Sequence, residues 1–153
     1  MYISKSQSAA LIFEKDWLRM KENLKTQIES RGYRVSNEMR NAVMTTLRGQ
    51  GSGRIYRVPM TKRYYQASAP GEVPANRTGI YRMSWRPSTY ATELGGDLMV
   101  VSQVGTDYRV RGRLLGEMLE EGTSRMAPRP HVEKIMKKAE KQAMRIYDEP
   151  YQL

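Results

Sequence analysis

From Phe13 onward the apolar residues recur at steps of four, three, four and four, through Trp17, Met20, Leu24 and Ile28. Counting on in the same phase reaches Gly32, Val35, Met39, Val43 and Leu47, so one stripe persists over nearly a quarter of a 153-residue chain. A period near 3.6 returns those positions to a single face, which predicts an amphipathic helix beginning at about Ser8. Unbroken over about 40 residues, it would be roughly 60 Å long at about 1.5 Å per residue. In so small a protein such a rod either protrudes or packs on a neighbour. Gly32 falls on the stripe, where close packing can tolerate it, and the pattern leaves open whether the helix kinks there. Gly49, Gly51 and Gly53 are expected to end the helix, because glycine supplies the left-handed conformations of a C-terminal cap.

Between Gly49 and Pro87 the pattern breaks down, apart from a strand-like RIYRV (Arg54 to Val58) and a short element at Ile80 to Trp85. Loops beyond about 12–15 residues are uncommon in compact domains and tend to be functional or disordered. Residues 49–87 are therefore read as a long extended arm, mobile in the free monomer and ordered against a partner. Thr89 to Leu94 and Leu98 to Val104 flank Gly95-Gly96-Asp97, a β-hairpin signature. Tyr108 to Arg111 is expected to extend that sheet, and Leu114 to Glu121 to form a short helix stopped by Gly122. After the connector TSRMAPRP (Thr123 to Pro130), the stripe Val132, Ile135, Met136, Ala139, Ala143 and Ile146 predicts a closing helix from His131 to Tyr147, with Pro130 at its start. The fold class is α+β: a long N-terminal helix, a small antiparallel sheet with a hairpin, a basic arm, a short helix and a C-terminal helix. At this length the chain fits one domain, spanning 1–153.

The net charge of +10, from 26 Lys and Arg against 16 Asp and Glu, favours nucleic acid or an acidic protein surface without choosing between them. There is no cysteine, which excludes disulfides and Cys-based zinc sites and allows a reducing compartment. MYISKSQSAALIF lacks a long apolar core, and no apolar run approaches about 18 residues, so neither a signal peptide nor a membrane span is expected. A lone histidine leaves His131 as the one neutral-pH base, and behind two prolines at a helix start it reads as a surface or packing residue. The acidic pairs Glu120-Glu121 and Asp148-Glu149 are sequence neighbours, which do not face each other on a helix. GQGSGR (Gly49 to Arg54) lacks the Lys-Ser/Thr ending of a phosphate loop and follows a helix, not a strand. No catalytic, metal or cofactor constellation emerges, and no cofactor is expected.

What remains is an interleaving of Arg54, Arg57, Lys62, Arg63, Arg77, Arg82 and Arg86 with Tyr56, Tyr64, Tyr65, Tyr81 and Trp85. Tyr, Trp and Arg are the usual anchors of protein interfaces. The same mixture can neutralise phosphates and stack on bases, so a nucleic-acid-binding module is the alternative. The candidate assembly interface is Tyr56, Tyr64, Tyr65, Pro70, Pro74, Arg77, Tyr81, Arg82 and Trp85 from the arm, with Met126 and Arg129 from the later connector.

Two segments, QASAPGEVPANRTGIYRMSW (Gln66 to Trp85) and LGEMLEEGTSRMAPRPHVEKIM (Leu115 to Met136), together resemble the neck, or tail-completion, proteins of long-tailed bacteriophages, the head-tail joining minor structural proteins similar to the lambda gpZ group. There an ASAPGE-x-PA segment leads into TG-x-x-R-x-S, and E-x-GT-S-x-M-x-x-RP leads into the last helix. The corresponding stretches here are Ala67 to Ala75, Thr78 to Ser84 and Glu120 to Pro130. Two positions depart from the pattern: Arg77 stands where an acidic residue is common, and His131 where an aromatic one is. The resemblance implies a non-enzymatic virion component of the neck, made in the host cytoplasm and forming a homo-oligomeric ring, a hexamer in that family. It implies contact with a head-completion or connector protein on one side and a tail terminator or tail tube protein on the other, with genomic DNA passing through the lumen and no membrane partner.

Overall fold

The computed structural model describes residues 5–152, with side chains from Ala10 onward. The first four residues of the segment read for a signal peptide lie outside the described residues. Helix α1 runs from Lys5 to Thr46, 42 residues without interruption. No helix is long and apolar enough to cross a membrane among the described residues.

The helix continues through Gly32, which gives the hairpin room. Strands β3 (Arg86–Leu94) and β4 (Asp97–Gly105) pair antiparallel, with Leu94 opposite Asp97. Gly95 and Gly96 at the turn have φ of 63° and 92°, the left-handed pair that a two-residue hairpin loop requires. This hairpin lies across α1 so closely that a Cβ on Gly32 would overlap Val100 Cγ1. The Gly32 carbonyl accepts from Ser102 Oγ at 2.7 Å and from Thr89 Oγ1 at 3.1 Å. Two hydroxyls thus tie a sheet face to a helix already hydrogen-bonded to itself.

Helix α4 (Val132–Tyr147) covers the C-terminal half of α1. Val35, Ala42, Val43 and Leu47 meet Ile135, Ala139, Ala143 and Ile146, and Trp85 completes the core. Arg31 is buried at the end of α4, where its guanidinium donates to the carbonyls of Tyr147 (3.2 Å) and Pro150 (2.9 Å) and stacks on Tyr151. A cation is favoured there because the last carbonyls of a helix lack intrahelical partners. Arg34 and Glu149 form a two-pronged ion pair beside it, at 2.5 and 2.6 Å.

Three expectations need correction. Tyr108 to Arg111 does not extend the hairpin sheet: β5 (Arg109–Val110) folds straight back on β6 (Arg113–Leu114) through Arg111 and Gly112, at φ 52° and 80°, and β6 runs directly into the short helix α3 (Leu115–Glu121). Gly49, Gly51 and Gly53 are not left-handed caps. Gly51 and Gly53 instead let their backbone approach Ala67 and Ser68, where a Cβ would collide with the main chain. Residues 49–87, finally, are not extended throughout: Val73, Tyr81 and Trp85 pack on the core, while 54–64 are exposed apart from Val58. Strands β1 (Ile55–Arg57) and β2 (Tyr64–Gln66) make a second hairpin, helix α2 (Ile80–Met83) follows, and backbone bonds from Gly53 to Ala67 and from Asn76 to Gly49 close the segment on itself.

Candidate docking cleft

The two segments that carry the strongest sequence pattern are far apart in the chain and meet in space. Ser68 is the first joint. Arg129 Nε donates to Ser68 Oγ at 2.5 Å, and Arg129 Nη2 to the Ser68 carbonyl at 3.0 Å. Gly71 N–H donates to the Pro128 carbonyl at 3.0 Å, and Lys134 Nζ to the Gly71 carbonyl at 3.2 Å. Gly71 lies at φ 76°, so glycine supplies the turn that presents both of its polar groups. Glu72 holds the turn from the other side. It accepts from the Ser52 hydroxyl, the Ser52 N–H and the Ala69 N–H, and these bonds, the hydroxyl first, lower its pKa to about 2.

The second joint is an aromatic cluster around His131, whose side chain is fully buried. His131 Nδ1 lies 2.9 Å from Glu120 Oε2 and 3.0 Å from the Arg129 carbonyl, and Nε2 lies 2.8 Å from the Tyr81 hydroxyl. Nδ1 faces two acceptors and so carries a hydrogen, and Nε2 pairs with the Tyr81 hydroxyl. The Glu120 carboxylate also accepts from the His131 N–H at 3.0 Å, an anion at the start of α4. Tyr81, His131 and Trp85 stand edge to face with centroids 5.8–6.1 Å apart. Burial, then the Glu120 charge, pushes the Tyr81 pKa well above the usual phenol value. A carboxylate–imidazole–phenol chain could in principle relay a proton, yet here the surroundings hold the phenol neutral. Its physical effect is to lock α2 to the start of α4.

Above these joints opens a cleft of about 750 Å³. Its walls come from 67–82 on one side and 108–129 on the other, with Tyr56 and Tyr65 of the β1–β2 hairpin at the rim. Four arginines line it, Arg77, Arg82, Arg125 and Arg129, and no Asp or Glu does among the described residues. Tyr56 and Tyr65 stack at 5.7 Å, and Arg77 sits over the Tyr65 ring at 5.0 Å. Arg82 Nε is buried without a hydrogen-bond partner among the described residues. Apolar surface comes from Pro74, Ile80, Leu115, Leu119 and Met126. The chemistry suits a segment carrying both negative charge and apolar side chains.

Of the residues expected at an assembly interface, Tyr56, Tyr65, Pro70, Pro74, Arg77, Tyr81, Arg82, Met126 and Arg129 converge on this cleft. Tyr64 is exposed but lies outside it, on the opposite side of its strand. Trp85 is a correction: at 7% exposure it belongs to the core with Val43, Leu47 and Ile135, because α2 turns its side chain inward onto α1 and α4. His131 resolves to packing. Sequence reasoning missed Arg125, Tyr108 and Leu119 as lining residues, and Ser68 and Glu120 as joints. Arg125 was signalled by its place inside TSRMAPRP, whereas Ser68 and Glu120 carry no local signal for bonds that reach 61 and 11 residues away. Comparison of the chain with family models, with curated proteins and with solved structures finds no match.

Proposed function

We propose that this protein is a structural component of a bacteriophage neck, docking between the head connector and the tail to complete the particle. The observation that carries the reading is the joining of two distant segments, 67–85 and 115–131, into one basic and apolar cleft by the Arg129–Ser68 and Tyr81–His131 bonds. Those are the segments that resemble the neck family. Their fixed geometry suits docking: ordering is completed on folding, so less conformational entropy is lost when a partner binds. The partner segment the cleft fits is acidic with apolar anchors, supplied by a sister subunit in the ring or by an adjoining neck protein.

A second reading, nucleic-acid binding, draws on the same arginines and on the stacked pair Tyr56 and Tyr65 with Arg54 near one ring and Arg77 over the other. It is ranked below docking because much of the lining is apolar, whereas nucleic-acid affinity comes mainly from phosphate contacts. Deleting the gene from the virus that carries it tests the first reading. Electron microscopy of the lysate should show full heads and tails unjoined, and purified protein added to the lysate should restore particles. Complete infectious particles in the deletion lysate refute it. Steeply salt-dependent DNA binding by the isolated protein, lost on Arg77→Glu, would favour the second reading.

A further inference from the structure

The N-terminal half of α1 has no counterpart in the rest of the fold. Helix α4 and the tail reach along α1 to Gln27, which bonds Gln152 at 2.6 and 3.0 Å, and to Asn23, which donates to the Gln152 carbonyl at 3.5 Å. Every described side chain from Ala10 to Asn23 is exposed. Yet this stretch holds Leu11, Ile12, Phe13, Trp17, Leu18 and Met20, with Phe13 at 73% and Trp17 at 57% exposure. A helix bearing apolar residues on several faces is normally buried.

We infer that Ala10–Leu24 of α1 is the surface through which copies of this chain associate, each helix packing on the same stretch of a second copy. Two observations select that occupant. The first is area. Phe13, Trp17 and Met20, which share one face of the helix, offer on the order of 400 Å² at these exposures, counting a full aromatic as roughly 150–250 Å². That matches the ~300–600 Å² of the largest apolar patch on a typical monomer, a size that is often functional.

The second is charge. The chain carries +10, but Glu14, Lys15, Asp16, Arg19, Lys21 and Glu22 give this stretch three acids and three bases. A balanced segment has no attraction for phosphate, and it is complementary to itself. Phe13, Trp17, Met20 and Leu24 are spaced as the core seam of two paired helices, with Glu14 and Lys21 on one flank and Asp16 on the other. In a parallel pair Lys21 faces Asp16 of the second copy; in an antiparallel pair it faces Glu14. Either orientation brings opposite charges together.

Sedimentation velocity on the full chain, up to roughly 100 μM, reads the association directly because the mass of a self-associating protein rises with concentration. The wild type is expected to form oligomers, with Trp emission moving to shorter wavelength as it does so; Trp85 is buried in the monomer, so the change reports Trp17. Phe13→Glu with Trp17→Glu should raise the association midpoint more than tenfold, since two central aromatic anchors are lost. Its melting temperature at high dilution should match that of the wild type, because these side chains are exposed in the monomer. A wild type that stays monomeric throughout overturns the inference, as does a double variant that associates like the wild type. So does a monomer whose Trp17 emission shifts only on adding phosphatidylglycerol vesicles, which would make the occupant a lipid surface. The proposed neck role is tested separately: a strictly monomeric protein that still restores particles sinks this inference alone, and an oligomer dispensable for the particle sinks only the neck role.

Discussion

Replacing Tyr81 by Phe removes one oxygen from the joint between α2 and α4 and leaves the ring in place. The edge-to-face contacts with Trp85 and His131 are kept, so the change isolates the hydroxyl bonded to His131 Nε2 at 2.8 Å. His131 is fully buried, and loss of the Tyr81 oxygen leaves its Nε2 without the partner it has in the fold. A buried polar group left unpaired costs about 1–3 kcal/mol. For a chain of this size each kcal/mol lowers the melting temperature by about 2–4 °C, so the expected drop is roughly 2–12 °C. Thermal and urea unfolding followed by circular dichroism measure it. A loss under about 0.5 kcal/mol would refute the reasoning, since that is within the range of an ordinary surface substitution. The pH dependence adds a check. The Tyr81 pKa is raised in the fold, by burial first, so below the unfolded phenol value of about 10 both states keep the proton and its full contribution is present. Above it the unfolded chain releases the proton first, and that contribution falls as pH climbs toward the folded value. The stability gap between wild type and Tyr81→Phe should therefore narrow above about pH 10.

Gly32→Ala sets two effects against each other: about 1 kcal/mol gained in helix propensity and about 1–3 kcal/mol lost by pressing a methyl group into Val100 and Thr89. Because the obstruction is a packed hairpin and not a flexible side-chain tip, a net loss of up to about 2 kcal/mol is expected in urea unfolding. Arg129→Ala breaks three bonds from one guanidinium, to Ser68 Oγ, the Ser68 carbonyl and the Ala127 carbonyl. It should cost about 1.5–3 kcal/mol and speed amide exchange at Gly71, with Arg129→Lys restoring only part because an ammonium cannot reproduce the planar fork. Glu72, with its pKa lowered to about 2 by Ser52 and Ala69, contributes stability that is present above its unfolded value and lost as pH falls from there toward 2. Glu72→Gln should accordingly flatten the fall in the urea midpoint between about pH 6 and about pH 3.

The helices and the main hairpin were legible because each rests on a local signal. The Phe13-to-Leu47 stripe has the helical period, Gly95-Gly96 has the conformations a tight turn needs, and Ile135, Ala139, Ala143 and Ile146 mark the buried face of α4. The β1–β2 hairpin was half legible. RIYRV reads as a strand, but its partner Tyr64–Gln66 sits in TKRYYQ, which has no alternation, and the reversal uses Met60 at φ 60° where glycine would have advertised it. Trp85 misled because an Arg- and Tyr-rich neighbourhood looks alike in sequence whether it faces a partner or its own core. The cleft was legible as a set of residues and illegible as a place. What assembles it is polar and long-range: a serine held by an arginine 61 residues on, and a tyrosine held by a histidine 50 residues on. Such bonds leave no periodic trace.

The claim at the centre of this account is that the arginine-lined cleft is the surface through which the protein joins the particle. Arg77 and Arg125 are exposed and line it, and neither side chain donates a hydrogen bond to the joints beneath. The double variant Arg77→Glu with Arg125→Glu should therefore fold with an unchanged circular dichroism spectrum and a melting temperature close to that of the wild type. Added to a lysate of the gene-deleted virus, it should fail to join heads to tails where the wild-type protein succeeds. Full restoration of particles by the folded double variant would contradict the account.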